Sequence, residues 1–490
     1  MHFSVSIKIL GVLLMVFSSA MIGPLLLALL EDDQTVRGFL WAFNITFFSG
    51  LCLWLPLKNV RHELRIRDGF LITSLFWTVL GLYGALPFAL TEALQLTPTE
   101  AIFESISGLT TTGATVITGL DNLPKSILIY RQLLQWLGGI GIIVVAVAIL
   151  PMLGIGGMQL YKAETPGPSK DTKLTPRITE TAKALASVYL ALTAACALAY
   201  YLAGMSGFDA VAHAFSTIAI GGFSTYDASM GHFDSDVILT ISSVFMVIAA
   251  INFGLHFTAW RQGMSPNRKQ RFFTAYARDS ETKFFLSILF ICITVTVAYL
   301  MLTRTLEPGE SVIHGMFQAI SITTTTGFAT QDFAAWPSFL PIMLLMASFM
   351  GGCVGSTGGG MKAMRVMLIY KQGVRELKQL VHPNAVIPLK VGRNRVEASV
   401  VSAVWSFFAV YTTCFIIIML LLMATGLDFL TAFSAVAASL NNLGPGLGDV
   451  AANYGAINEV AKGLLCFTML LGRLEVFTLL VLFTPAFWRL

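Results

Sequence analysis

The sequence predicts an all-α membrane protein, with two transmembrane helices followed by four pseudo-symmetric helix–half-helix–helix units (M1–P–M2) around one pore. Three observations predict it. Of 490 residues, 56% are hydrophobic and 12% are charged, with a mean hydropathy of +0.75; soluble domains carry about 25% charged residues. Apolar runs recur at about 20 residues, the length that crosses a bilayer as a helix. A glycine-centred string recurs at Gly113, Gly222, Gly327 and Gly444, about 105–117 residues apart.

The elements follow in order. Residues 1–60 hold two apolar helices, over about 5–30 and 36–57, joined by the acidic turn Glu31-Asp32-Asp33. Lys8 precedes the first apolar stretch without a small-residue cleavage site, so a retained helix is expected there and not a signal peptide. The four units are expected over 68–152, 182–262, 282–370 and 396–490. Each contains a spanning helix, a half-length helix, a loop and a second spanning helix. The loops read Thr110-Thr111-Thr112-Gly113, Ile218-Ala219-Ile220-Gly221-Gly222, Thr324-Thr325-Thr326-Gly327 and Asn441-Asn442-Leu443-Gly444. A serine stands at one offset before the glycine in three of them, as Ser107, Ser216 and Ser321.

Basic residues orient the chain. Lys58, Arg61, Arg65 and Arg67, then Lys162, Lys170, Lys173 and Arg177, then Arg261, Arg268, Lys269, Arg271 and Arg278, and a basic loop from Lys362 through Arg395, all fall on one side. By the positive-inside rule that side is cytoplasmic. Every glycine loop then lies on the opposite side, and each half-helix is re-entrant. Irregular backbone at membrane depth is tolerated only where it lines a wet cavity. Four such loops around one axis make a constriction of carbonyls able to replace a cation's hydration shell. Thr110 to Thr112 and Thr323 to Thr326 are expected to add hydroxyls at that depth.

Acids stand near each half-helix start, at Glu100, Asp209, Glu310 and Asp428, and after each loop, at Asp121, Asp227, Asp332 and Asp449. The first set reads mainly as helix capping. The second would form an acidic outer ring that concentrates cations, or else serves as ordinary turn residues. Gly138, Gly139 and Gly141 read as close helix packing.

The second helix of the third unit breaks at Gly351, Gly352, Gly355, Ser356, Thr357, Gly358, Gly359 and Gly360. A phosphate loop is excluded, because Met361 separates Gly360 from Lys362. An intramembrane loop (351–360) that obstructs the pore from the cytoplasmic side is expected, with a bland kink as the alternative. Arg473 lies in the last apolar helix, about 16 residues from the end of the sequence and thus deep in the membrane at about 1.5 Å per residue. It is expected to face the pore below the filter and to donate to carbonyls of that loop, restraining cation flow; pairing with another helix's acid is the alternative. Glu475, two residues on, does not share its face.

The six cysteines form no CxxC pair and sit in or beside apolar stretches, so they read as small buried hydrophobes. No acid pair, nucleophile–base set or metal cluster stands in the apolar spans, which argues against an enzyme. His213 and His314 are the groups a proton-coupled symporter would use, although His213 also reads as a satisfied core histidine.

Together these strings, the Gly-Gly-x-x-Gly-Ser-Thr-Gly-Gly loop and Arg473 resemble the Trk/Ktr/HKT superfamily of potassium transporters, within it the bacterial Trk H-type membrane subunits, over nearly the whole chain. The resemblance implies gated, channel-like potassium uptake, with a coupled symporter as the alternative. It implies potassium as substrate at the backbone of Thr111, Thr112, Ile220, Gly221, Thr325, Thr326, Asn442 and Leu443, and no organic cofactor in this chain. It further implies a homodimer in a bacterial inner membrane with both termini cytoplasmic, regulated by a cytoplasmic RCK-domain subunit that binds NAD or ATP/ADP. The lipid bilayer is the other partner, and nucleic acid is not one. The second and fourth loops depart from the threonine pattern, with Ala219-Ile220-Gly221 and Asn441-Asn442.

Overall fold

A computed structural model describes residues 3–60, 66–148, 174–263, 273–392 and 394–489. Arg61, Arg65, Lys162, Lys170, Lys173, Arg268, Lys269 and Arg271, used above to orient the chain, lie outside the described residues. Among those described, seven helices are long and apolar enough to cross a membrane, or up to nine if each of two bent pairs is one span.

The first two spans are Phe3–Glu31 and Val36–Leu57. The four half-helices are Pro98–Leu109, Gly207–Ala219, Pro308–Thr323 and Phe429–Asn441. At 12 to 16 residues, each rises about 18–24 Å, short of the roughly 30 Å hydrocarbon core. Their starts are written in the sequence. Thr97 and Glu100 form a reciprocal capping box, and Pro98 fits the first turn, where no N–H partner is needed. Ser206 accepts from the Asp209 N–H, and Asp428 accepts from the Leu430 and Thr431 N–H groups. Glu310 stands in the first turn of the third half-helix, whose N-terminal end carries Pro308.

The second spanning helices differ among units, beyond the one break expected. That of the first unit is continuous over Lys125–Ala148. In the second unit, Asp236–Ala249 turns by 96° into Phe253–Gly263; in the fourth, Glu459–Arg473 turns by 108° into Phe477–Phe483. In the third, Phe339–Ser348 leads through the glycine loop to Ala363–Val381. The helix bearing Arg473 therefore stops at that residue, with positive φ at Glu475 and Val476, and does not run on to the terminus. The stretch 362–395 expected as a basic loop is chiefly the helix Ala363–Val381 followed by a two-stranded ribbon, Lys390–Val391 with Asn394–Arg395. Its apolar residues Met364, Met367 and Leu368 recur at helical spacing and are buried, which local sequence charge obscured.

One apolar core joins the N-terminal helices to the first, third and fourth units, and a second joins the second and third units. The half-helices contribute residues to both, as Phe103 and Val436 do to the first and Ile218 and Phe317 to the second.

Candidate functional site: a four-fold glycine ring and the loop beneath it

Each half-helix ends in the same turn. The N–H groups of Thr112, Gly221, Thr326 and Leu443 donate to the carbonyls of Ser107, Ser216, Ser321 and Ala438, at 2.8, 2.9, 2.8 and 2.8 Å. One residue earlier, Thr111, Ile220, Thr325 and Asn442 all take left-handed backbone, with φ of 55°, 54°, 67° and 52°. Non-glycine residues pay roughly 1–2 kcal/mol for that conformation. One residue later come Gly113, Gly222, Gly327 and Gly444, at φ of 82°, 79°, 86° and 94°. Strain of this kind persists only where its surroundings over-determine it.

The glycines close a ring. A Cβ on Gly113 would overlap the Gly221 carbonyl oxygen, one on Gly222 the Thr326 oxygen, and one on Gly327 the Leu443 oxygen. A Cβ on Gly444 would lie 2.8 Å from the Thr112 oxygen, returning to the first unit. Each contact runs from one glycine to the carbonyl just before the next unit's glycine, so the four units surround one axis in chain order. All four glycines line one outer cavity of about 560 Å³.

Several sequence expectations meet this geometry differently. Four of the threonine hydroxyls bond within their own loops: Thr110 pairs with Thr112 and Thr324 with Thr326, each at 2.8 Å. Asp227 and Asp332 line the outer cavity, whereas Asp121 and Asp449 do not, so the aspartates form no four-sided ring. Asp121 instead accepts from the Asp227 N–H at 3.4 Å. The serine signature braces the turn: Ser107 donates to the Ala114 carbonyl at 2.5 Å, and Ser321 to the Phe328 carbonyl at 2.7 Å. Asn441 accepts from the Tyr411 hydroxyl, and Asn442 donates to Thr112 Oγ1 at 2.9 Å and to the Met469 carbonyl at 3.0 Å. The fourth loop's departure from threonine thus ties it to the first loop and to its own second helix. His213 is buried, its Nδ1 donating to the Asp209 carbonyl and its Nε2 accepting from Ser224 Oγ, both at 2.9 Å. His314 bonds Thr330 Oγ1 at 3.0 Å.

Sequence reading missed Arg131, a cation at the lining of the outer cavity. Its Nε donates to Glu104 at 2.7 Å and its Nη1 to the Ser224 carbonyl at 3.0 Å, with both charged side chains buried. Glu104 also accepts from the Val116 N–H at 3.0 Å. The pair joins the outgoing strands of the first two units and neutralises itself. An arginine and a glutamate on separate apolar helices were the available signal.

The glycine loop packs directly under the ring. Thr357 Oγ1 donates to the Ile218 carbonyl at 2.9 Å, the Gly359 N–H to Thr325 Oγ1 at 2.7 Å, and the Gly360 N–H to the Asn441 carbonyl at 3.0 Å. These are the inner ends of the second, third and fourth half-helices. Lys362 Nζ donates back to the Gly358 carbonyl. Glu281 accepts from the Val354 N–H at 2.8 Å and the Met364 N–H at 3.1 Å, holding both flanks of the loop to the third unit's first helix. Gly351, Gly352, Gly358 and Gly359 are buried, as are Ser356 and Thr357; Gly355 and Gly360 are partly so.

Arg473, 4% exposed, reaches the same loop. Its Nη1 donates to the Thr357 carbonyl at 3.1 Å and its Nη2 to the Gly138 carbonyl at 3.0 Å, and its guanidinium lies 5.3 Å from the Trp77 ring. No acid pairs with it among the described residues. Glu475 pairs instead with Arg365. Through Arg473 the loop is linked to the first unit as well, so all four units hold it.

At the outer end, Lys462 pairs with Glu100 at 2.7 Å. Burial tends to raise the Glu100 carboxyl, but the Lys462 ammonium and the Thr97 N–H and hydroxyl outweigh it and hold the group below its ordinary value. A depressed carboxylate pKa adds stability above the unfolded-state value, and that stability is lost as pH falls through the folded-state value. Glu100→Gln is therefore expected to lower stability by about 1 kcal/mol at neutral pH and to converge on the parent protein as pH falls through the folded-state carboxyl value. Thermal unfolding in detergent across that range checks it; a difference that persists in acid would assign the effect to packing.

The family described as cation transport protein, TrkH, matches residues 36–490. The Trk system potassium uptake protein TrkH of Halomonas elongata is 55% identical over 483 residues, covering 99% of this chain and 98% of that protein. The protein of the same description from Vibrio parahaemolyticus is 55% identical over 491 residues, covering all of both. The crystal structure of the potassium transporter TrkH from Vibrio parahaemolyticus superposes with a TM-score of 0.92 at 53% identity, covering 100% of each chain. Trk system potassium uptake protein TrkG of Escherichia coli is 41% identical over 489 residues. With four pseudo-symmetric membrane units closed on one glycine ring, this multi-pass membrane chain belongs to the TrkH cation transport protein family.

Proposed function

We propose that this chain takes up potassium through a gated, channel-like pore, moving the ion down its electrochemical gradient. The observation that carries the reading is the closed cycle in which each loop glycine abuts the carbonyl before the next glycine, from Gly113 to Gly444 and back. Carbonyls gathered on one axis substitute for the water a cation sheds. Each half-helix aims its C-terminal, partially negative end at that axis, which favours cations over anions. The backbone of Thr111, Thr112, Ile220, Gly221, Thr325, Thr326, Asn442 and Leu443 is the proposed coordinating set, and potassium is substrate. The loop from Gly351 to Gly360, with Arg473, is the gate, and the arrangement here is its closed state. The bonding of His213 on both ring nitrogens supports a channel over a proton-coupled symporter, which needs a group free to change its proton.

The relatives are named as parts of a Trk system, which supports a multi-component assembly. In our reading the chain is a homodimer in a bacterial inner membrane with both termini cytoplasmic. The basic helix Ala363–Val381 offers a docking face to a cytoplasmic RCK-domain subunit that responds to NAD or ATP/ADP.

Flux into reconstituted vesicles tests the proposal. Potassium and rubidium uptake is expected to persist with no proton or sodium gradient and to dissipate the imposed gradient. Equal permeation by potassium, rubidium, sodium and lithium would overturn the potassium assignment.

A further inference from the structure

We infer that Gln135, on the second helix of the first unit, is a positioning residue for the second loop's carbonyl and thereby sets discrimination among dehydrated monovalent cations; this rests on the filter reading above. At the offsets where the first and third loops carry the bonded pairs Thr110–Thr112 and Thr324–Thr326, the second loop carries Ala219 and Gly221 and has no hydroxyl. The fully buried Gln135 occupies that space: a Cβ on Gly221 would overlap its amide carbon and oxygen and lie 2.8 Å from Nε2.

Both polar atoms of the amide are engaged. Nε2 donates to the Gly221 carbonyl at 2.6 Å, and Oε1 accepts from Ser216 Oγ at 2.7 Å and the Phe223 N–H at 3.1 Å. Ser216 is the equivalent of Ser107 and Ser321, which brace their own outgoing strands. In the second unit Gln135 makes that brace instead, joining half-helix, ring carbonyl and outgoing strand. Among the described residues, the ring carbonyls of Thr112, Thr326 and Leu443 accept no hydrogen bond. The Gly221 oxygen is thus held by a neighbouring unit's side chain, and one of its lone pairs is shared. Discrimination by a carbonyl ring depends on the placement and field of each oxygen, so releasing this one relaxes the ring.

Gln135→Met keeps the volume and removes both functions of the amide; Gln135→Glu keeps the acceptor and removes the donor. Each, reconstituted after a check of monodispersity in detergent, is expected to lower the potassium-to-sodium permeability ratio about tenfold, the worth of a buried hydrogen bond. Gly221→Thr alone is expected to abolish flux by overlap, and Gly221→Thr with Gln135→Ala to recover it, since the threonine then takes the space the glutamine leaves. An unchanged ratio in whichever of the Met and Glu variants folds, or a double variant no better than Gly221→Thr, overturns the assignment. Gly327→Ser runs beside them: if it cuts potassium flux or shifts the ratio and Gln135 variants do neither, the filter stands and Gln135 falls; if it leaves both flux and ratio unchanged, the filter reading falls.

Discussion

Gly113→Ala, Gly222→Ala and Gly327→Ala are each expected to cut potassium flux at least about hundredfold, and Gly444→Ala to cut it less. Two costs add at the first three sites. Each holds φ near 80°, where a Cβ costs roughly 1–2 kcal/mol, and each abuts a neighbouring unit's carbonyl that the new atom would displace. Together these reach about 3 kcal/mol, a factor of about a hundred. At Gly444 the φ of 94° carries the same conformational cost, but the facing Thr112 oxygen lies 2.8 Å from the added atom and gives way more easily. Rubidium uptake by vesicles bearing each variant measures the order. A Gly444 variant as damaged as the other three would mean that conformation, and not the inter-unit contact, sets the loss.

Arg473→Ala has the opposite sign. Its guanidinium donates to Thr357 in the loop and to Gly138 in the first unit's continuous helix, and no acid among the described residues neutralises it. Hydrogen bonds from a charged donor contribute about 1.5–3 kcal/mol each. On the gate reading proposed above, removing both weakens the closed arrangement and deletes a positive charge beside the cation path; at about 3 kcal/mol or more in total, basal flux is expected to rise at least about hundredfold. Lysine presents one point charge and cannot bridge two carbonyls on different elements as a planar fork does; Arg473→Lys should therefore fall between the two. An unchanged rate in Arg473→Ala, in protein that still elutes as a single species, would sink the barrier role.

Most of the architecture was legible because the bilayer imposes it. Apolar run length fixes the spans, half-length helices between them must be re-entrant, and a glycine at one place per unit marks the turn. The acids that marked the half-helix starts were equally local: Glu100 and Asp209 stand in the first turn and Asp428 is itself the cap, while the Thr97 and Ser206 caps emerged only in the structure. Arg473 was visible as a charge in an apolar run, and its tie to the 351–360 loop follows from the need to satisfy it.

What the sequence by itself determined, then, is a membrane array of four repeats with a glycine turn in each and a broken helix in the third. Only the tertiary structure decided how the repeats differ. The breaks at 250–252 and after Arg473 carry no proline and no glycine run; at the first the freed backbone is met by the glycine loop, the Ala250 carbonyl accepting from the Cys353 N–H and the Phe253 N–H donating to the Gly355 carbonyl, whereas after Arg473 the Glu475 and Val476 N–H groups turn back to the Gly472 and Leu471 carbonyls. Local propensity favours continuing a helix, so such a break is invisible until its partners are in place. The same holds for the second and fourth loops. Read alone, Ala219-Ile220-Gly221 and Asn441-Asn442 look like weakened copies of a threonine pattern. In three dimensions Gln135 fills the first gap from a neighbouring unit, and Asn442 bridges to Thr112 across 330 residues of chain. A polar group missing from a loop can be supplied by any residue the fold brings within hydrogen-bonding distance, and no pattern along the chain records which one.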